Sequence, residues 1–373
     1  MITVLSVVGT RPEAIKMAPV IGELSKHPDR VRSLVCVTGQ HRQLLDQVLK
    51  LFDITPHYDL NVMQPDQALS QLTADLLMGL DTIVKQTHPD WILAQGDTTT
   101  VLAAALVGHY HGVAFGHVEA GLRTGDKRSP FPEEMNRRLA DGVADLLFAP
   151  TEHARHALLR EGLPEANIHV TGNTVVDALE SLSDMTYDWT TGPLADLPCD
   201  RRTVLVTAHR REILGEQFRE LCFAIRELAL SFEGEGVHFV YPVHPNPNVR
   251  EPVYEILSGL GNVSVIEPLD YLAMINLMKR CTLILTDSGG IQEEAPSLGV
   301  PVLVMRDVTD RPEGLEAGVA LLAGTRRDRV VVEASRILGD ADAHKALIPN
   351  INPYGDGRAA ERIVSIVMER GKV

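Results

Sequence analysis

Three carboxylates, Asp97, Glu119 and Glu133, each stand where an apolar run passes through a turn toward a helix. They lie in Gln95-Gly96-Asp97-Thr98-Thr99-Thr100, in Gly116-His117-Val118-Glu119-Ala120-Gly121-Leu122-Arg123 and in Pro130-Phe131-Pro132-Glu133-Glu134. Carboxylates gathered at strand ends can take up and return protons. Each also has a plainer reading: Asp97 as a helix N-cap, Glu119 as a solvated side chain, Glu133 as a first-turn partner of the helix dipole. A second set of residues could hold an anion. In Thr282-Leu283-Ile284-Leu285-Thr286-Asp287-Ser288-Gly289-Gly290-Ile291-Gln292-Glu293-Glu294-Ala295, a buried strand feeds a helix through a tight turn. Gly289 and Gly290 leave backbone N–H groups open to a phosphate at the positive end of the helix, and Ser288 is either a further ligand or only the cap. The next apolar run, 301–305, ends in Arg306 and Arg311, and Thr207-Ala208-His209-Arg210-Arg211-Glu212 adds a histidine able to donate to a phosphate.

These residues need elements that bring strand ends together. Residues 2–8 form a continuous apolar run, as a strand covered on both faces requires, and Gly9-Thr10-Arg11-Pro12-Glu13 turns it into a helix. Strands at 34–37, 91–94, 113–118, 145–149 and 168–170 then alternate with helices at 40–51, 68–85, 99–109, 132–143 and 152–160. A second series places strands at 203–207, 237–241, 263–266, 282–286 and 300–304. The fold class is α/β, with two Rossmann-like domains whose parallel sheets face one another across a cleft. The N-terminal domain covers 1–182, a polar segment at 183–200 is the linker, and the C-terminal domain covers 201–356. A last helix follows the break Asn352-Pro353-Tyr354-Gly355-Asp356-Gly357 at 357–373.

Composition narrows the function. With 373 residues and 45% hydrophobic content the chain can bury more than one core. No apolar run approaches the ~18 residues of a membrane span, and the N-terminus lacks a signal-peptide pattern. The four cysteines lack C-x-x-C spacing and read as reduced packing residues of a cytoplasmic protein; no metal cluster is visible. The net charge of −15 argues against nucleic acid or an acidic membrane as partner. An anionic ligand then requires locally concentrated cations: Arg11 with Lys16, His209 with Arg210 and Arg211, and Arg306 with Arg311. Neither G-x-G-x-x-G nor G-x-x-x-x-G-K-[ST] occurs.

Together with Gly9-Thr10-Arg11-Pro12-Glu13 and Arg311-Pro312-Glu313, these motifs closely resemble the set found in the bacterial non-hydrolysing UDP-N-acetylglucosamine 2-epimerases, over nearly the whole chain. The resemblance implies the glycosyltransferase-B architecture and a homodimer. It implies interconversion of UDP-N-acetylglucosamine and UDP-N-acetylmannosamine for bacterial surface polysaccharide, with no NAD and no essential metal. By resemblance Asp97, Glu119 and Glu133 are acid/base groups and His209 serves the leaving phosphate. Arg11, Lys16, His209, Ser288, Gly289, Gly290, Glu294 and Arg311 are substrate or UDP contacts, with Ser288, Gly289 and Gly290 as the diphosphate turn. Gln40, His41 and Gln43 match a regulatory site at which a second substrate molecule activates many members; Pro65-Asp66-Gln67 departs from that pattern where some members carry an arginine.

The chemistry is consistent. The proton on C2 of the sugar has no adjacent carbonyl, and without a dinucleotide site none can be made by transient oxidation. Its loss must be coupled to departure of UDP from C1, giving a 2-acetamidoglucal, with re-addition after protonation of the opposite face. A UDP-sugar-dependent glycosyltransferase of the same fold would also hold UDP, but it needs an acceptor and has no use for three clustered carboxylates. A non-catalytic nucleotide-sugar sensor would tolerate their loss. A hydrolysing bifunctional epimerase would need room for a kinase domain.

Overall fold

The computed structural model describes residues 1–39, 42–64, 67–183, 185–348 and 352–372. The chain divides into two compact units, Met1–Ser181 with Tyr354–Val373, and Leu182–Pro353. The first unit runs β1 (Ile2–Val8), α1 (Arg11–Ser25), β2 (Val31–Val37), α2 (Arg42–Leu51), β3 (Tyr58–Asp59), α3 (Leu69–Thr87), β4 (Trp91–Gln95), α4 (Thr99–His111), β5 (Ala114–Val118), α5 (Glu133–Val143), β6 (Leu146–Ala149), α6 (Glu152–Arg160), β7 (Ile168–Val170) and α7 (Thr174–Ser181). The second runs β8 (Arg202–Thr207), α8 (Glu216–Ser231), β9 (Val237–Pro242), α9 (Pro247–Leu257), β10 (Val263–Ile266), α10 (Tyr271–Lys279), β11 (Cys281–Thr286), α11 (Gly289–Ser297), β12 (Val302–Val304), α12 (Pro312–Glu316), β13 (Ala320–Leu322), α13 (Arg327–Gly339) and α14 (Ala341–Lys345). The last helix, α15 (Ala359–Arg370), returns to the first unit.

Each unit is a parallel sheet flanked by helices, as the unbroken apolar runs require. The orders are β3-β2-β1-β4-β5-β6-β7 and β10-β9-β8-β11-β12-β13. Every residue of β4 and β5 is buried. In both sheets the order reverses about the first strand, between β1 and β4 and between β8 and β11. The helices that follow two adjacent strands there lie on opposite faces, and the crevice at their carboxyl ends is where sheets of this class bind ligands.

β3 and β13, two and three residues long, are not marked by periodicity because each adds only a sheet edge. The stretch expected as a linker, 183–200, belongs to the second unit by its packing. Arg280 stacks 4.3 Å over the Trp189 ring, and Tyr187 meets that ring edge-on at 5.2 Å. The chain passes back to the first unit at Tyr354, whose backbone carbonyl accepts from Asn173 N–H at 2.7 Å, a few residues before the expected 357. Asp177 then receives the first N–H groups of α15, Ala359 at 3.2 Å and Ala360 at 2.8 Å.

Candidate active site

In the first unit the carboxyl ends of β1, β4 and β5 lie side by side. Gly9 is required at the first of them, because a Cβ there would stand 2.4 Å from the Thr100 hydroxyl. Glu13 folds back from α1 and accepts from Gly9 N–H and, at 3.2 Å, from Thr10 N–H. The start of α1 is thereby capped by the chain's own carboxyl group, and Glu13 is fully buried. Burial pushes its pKa from 4.5 up to about 7, with the Asp97 charge acting the same way and the Thr98 hydroxyl and the Gly9 and Thr10 N–H groups opposing.

Beyond β5, Glu119 takes a left-handed backbone conformation, φ +67°, which a residue with a Cβ adopts at a cost. Its side chain is buried and held from two elements. Lys16 on α1 donates from Nζ to both oxygens, at 2.9 and 2.8 Å, and Gln95 at the end of β4 donates to Oε2. Two residues after Gln95, Asp97 pairs with the Arg137 guanidinium of α5, and Asn136 donates to the Asp97 backbone carbonyl at 3.0 Å. Asp97 is not the cap of α4: Thr98 holds that position. On α5, Glu134 is buried and spent on the turn before it, accepting from Thr124 and Gly125 N–H at 3.1 and 3.3 Å. Glu133 is half-buried at the first position of α5, four residues before Arg137 and so on the same helix face. α1, β4, the β5 exit and α5 thus converge through Lys16, Gln95 and Arg137 on Glu119 and Asp97.

In the second unit, β8 and β11 end together. The buried Asp287 accepts, through Oδ2, from the backbone N–H groups of His209 at 2.7 Å and Arg210 at 2.8 Å. This fixes the loop after β8 against the turn after β11. Ser288 is the N-cap residue of α11, yet its hydroxyl makes no capping bond, so it is not consumed as a cap. At Gly289 a side chain would meet Arg210 Nη2 at 3.6 Å and Arg311 Nη2 at 3.8 Å. Two guanidinium groups therefore stand beside the helix start that the N–H groups of Gly289 and Gly290 open.

Arg311 is held by Glu293 and by Asp310 at 2.9 Å, and Arg306 reaches Asp310 at 3.0 Å. Burial alone would raise the Asp310 carboxyl, but Arg311, Arg306 and Arg210 hold it well below the usual carboxylate range. Glu294 is buried and accepts from the Tyr271 hydroxyl at 3.2 Å. The exposed His209 ring stacks on His244, centroids 5.1 Å apart at 11°. Burial, then the neighbouring His209, lowers the His244 pKa.

The sequence-predicted residues fall accordingly. In the first unit Lys16 pairs with Glu119 and Arg137 with Asp97 at neighbouring strand ends, with Glu133 on the same helix as Arg137 and Arg11 at the first position of α1. His209, Ser288, Gly289 and Arg311 surround one helix start in the second, with Gly290 and Glu294 on the same helix. The expected regulatory residues Gln40 and His41 lie outside the described residues, as does Asp66; Gln43 is described only through its place in α2. Sequence reasoning missed Glu13, Gln95, Arg137, Asp287 and His244 as site groups. Arg137 had a signal, a charged residue recurring at the buried phase of an amphipathic helix beside Glu134 and Asp141. Among the described residues no three His, Cys, Asp or Glu side chains converge as a metal site would need.

Comparison with known proteins gives the family of the chain. A curated UDP-N-acetylglucosamine 2-epimerase of Yersinia pestis is 52% identical over 369 residues, 97% of each chain. The crystal structure of the Neisseria meningitidis UDP-GlcNAc 2-epimerase bound to UDP-GlcNAc superposes with a TM-score of 0.93 at 44% identity, covering 98% of this chain and 100% of that one. The Methanocaldococcus jannaschii enzyme in complex with UDP-GlcNAc and UDP gives a TM-score of 0.83 at 33% identity, covering 98% and 99%. The profile of the UDP-N-acetylglucosamine 2-epimerases matches residues 23–368, and the chain belongs to that family.

Proposed function

We propose that the protein interconverts UDP-N-acetylglucosamine and UDP-N-acetylmannosamine by eliminating and re-adding UDP. The observation that carries this reading is Glu119, a buried carboxylate in a strained backbone conformation, held by Lys16 and by Gln95, which stands two residues before Asp97, the partner of Arg137. Strain at a buried polar residue that is held by partners from two elements marks a group placed for chemistry. The relatives crystallised with UDP-GlcNAc or UDP supply the substrate class.

In the forward direction one carboxylate takes the C2 proton as the C1–O bond to UDP breaks, and the C1–C2 double bond of a 2-acetamidoglucal forms. UDP leaves with the bonding pair. Gly289 and Gly290 N–H, Ser288, Arg311 and Arg210 hold its diphosphate, and His209 donates to the departing oxygen. A carboxylic acid on the other face then returns a proton to C2 as UDP re-adds to C1. Asp97, Glu119 and Glu133 share the two proton-transfer roles. Arg11 is a nucleotide contact, Glu294 contacts the ribose, and Lys16 acts by orienting Glu119.

The test is incubation with UDP-N-acetylglucosamine in deuterated water without added NAD, followed by proton NMR. The expected result is the manno epimer with deuterium at C2, lost in Asp97→Asn and Glu119→Gln variants. A folded, UDP-binding protein that gives neither epimer nor exchange would overturn the assignment.

A further inference from the structure

His117 lies in the middle of the first unit's sheet, on β5, with no exposed surface. Its ring is clamped between two acceptors, Nδ1 to Asp141 Oδ1 at 2.6 Å and Nε2 to the Gly96 backbone carbonyl at 2.7 Å. A carbonyl oxygen cannot donate, so Nε2 carries a proton. On the other side Asp141 also receives Arg123 Nη2 at 2.7 Å and Gly121 N–H at 3.3 Å, both at Oδ2, and the paired guanidinium favours the ionised carboxylate over an acid protonated at Oδ1. Nδ1 must then carry a proton as well, and neutral imidazole offers only one N–H.

The backbone consequences reach both carboxylate loops. Gly96, whose carbonyl His117 holds, stands between Gln95, the donor to Glu119, and Asp97. Gly121, whose N–H Asp141 holds, is two residues past Glu119. We infer that His117 is a permanently charged imidazolium which, with Asp141, forms a positioning pair setting the loops of Asp97 and Glu119 for proton transfer. This rests on the proposed epimerase reaction, in which neither His117 nor Asp141 touches substrate.

The charged groups around the ring are Asp141 and Arg123, the latter also paired with Glu161 at 3.0 and 2.7 Å. Burial and Arg123 oppose the ring's charge while Asp141 and the Gly96 carbonyl favour it, and the balance raises the His117 pKa. Burial also opposes the Asp141 charge, but His117 and Arg123 leave that carboxyl below its ordinary value.

The experiment uses the full chain labelled with 15N-histidine, the His117 ring signals being assigned by their loss in His117→Gln. Both ring nitrogens should show protonated shifts from about pH 6 to about pH 9. A single unprotonated ring nitrogen anywhere in that range would overturn the charge assignment in the wild-type protein, whatever the variants do. In kinetics, His117→Gln and Asp141→Asn should each lower kcat by about 10- to 100-fold with KM within about twofold, the pattern of a disturbed supporting contact. The double variant should be little worse than the weaker single one, because the pair acts as one unit. Folded variants with unchanged kcat, or losses confined to KM, would overturn the positioning role. If the wild-type chain does not epimerise at all, the proposed reaction fails while the ring spectrum still decides the charge state.

Discussion

Glu13 offers a prediction whose size follows from its surroundings. Its carboxyl is fully buried and caps α1 through Gly9 and Thr10 N–H, and burial raises its pKa from 4.5 to about 7. Between those values the folded state keeps a proton that the unfolded chain releases. The stabilisation this represents is fully present below pH 4.5 and is lost as the pH rises through 7. A gap of about 2.5 pH units at about 1.36 kcal/mol each gives a loss of about 3 kcal/mol. Glu13→Gln keeps an acceptor oxygen for both N–H groups and cannot ionise, so its stability should lack this fall.

The comparison is best made by urea unfolding at a series of pH values. Trp91, buried in β4 of the first unit, is the fluorescent probe when both proteins carry Trp189→Phe, since the chain has two tryptophans. Wild-type stability minus variant stability should be flat up to about pH 4.5 and then decline by about 3 kcal/mol by about pH 8. Parallel curves, within about 0.5 kcal/mol, would refute the burial argument and return Glu13 to an ordinary capping carboxylate.

Other expectations are more local. Arg311→Lys cannot reproduce a guanidinium held at once by Glu293 and Asp310, so UDP affinity should fall about tenfold, about 1.4 kcal/mol, by calorimetry; unchanged affinity would remove Arg311 from the anion site. Gly121 has φ +92°, and a Cβ there would stand 2.4 Å from the Ala154 backbone carbonyl, so Gly121→Ala should destabilise by about 3 kcal/mol in urea unfolding. Gly142 on α5 meets nothing within 4 Å, and Gly142→Ala should instead stabilise by about 0.5–1 kcal/mol. Asp177→Asn loses a charged acceptor for two N–H groups at the start of α15 and should cost about 1 kcal/mol.

The fold was legible where strands are covered on both faces, because burial leaves an unbroken apolar run such as Ile2–Val8 or Trp91–Gln95. Strand order was not legible, since periodicity records how a strand is covered and not which strand lies beside it. That gap is the one that hid the site's supporting residues. Asp97, Glu119 and His209 could be found because turn residues mark strand ends, but Gln95 meets Glu119 only because β4 and β5 are neighbours. Arg137 meets Asp97 only because α5 packs beside α4 at the same end of the sheet. His117 looks in sequence like one polar residue inside an apolar strand; only the third dimension supplies Asp141 and Gly96.

Charge counting along the chain misleads in a related way. In a chain of net charge −15, an anionic ligand calls for clustered cations, and Lys16, Arg306 and Arg311 count toward such clusters. In the structure each already faces a carboxylate: Lys16 meets Glu119, Arg306 meets Asp310, and Arg311 meets both Glu293 and Asp310. Their free positive charge is smaller than their number, while their geometry is far more fixed. A guanidinium anchored on one edge presents its remaining N–H groups in a set direction, which suits recognition of a diphosphate better than a mobile charge does. The helix start at Gly289 and Gly290 adds a partial positive charge of its own, carried by backbone N–H groups. Site strength here should therefore depend more on the carboxylates that orient the arginines than on the number of cations. Glu293→Gln should weaken UDP binding by several-fold although it removes a negative charge from the neighbourhood of an anion. A gain in affinity, measured by the same calorimetry at moderate salt, would show that net charge governs the site after all.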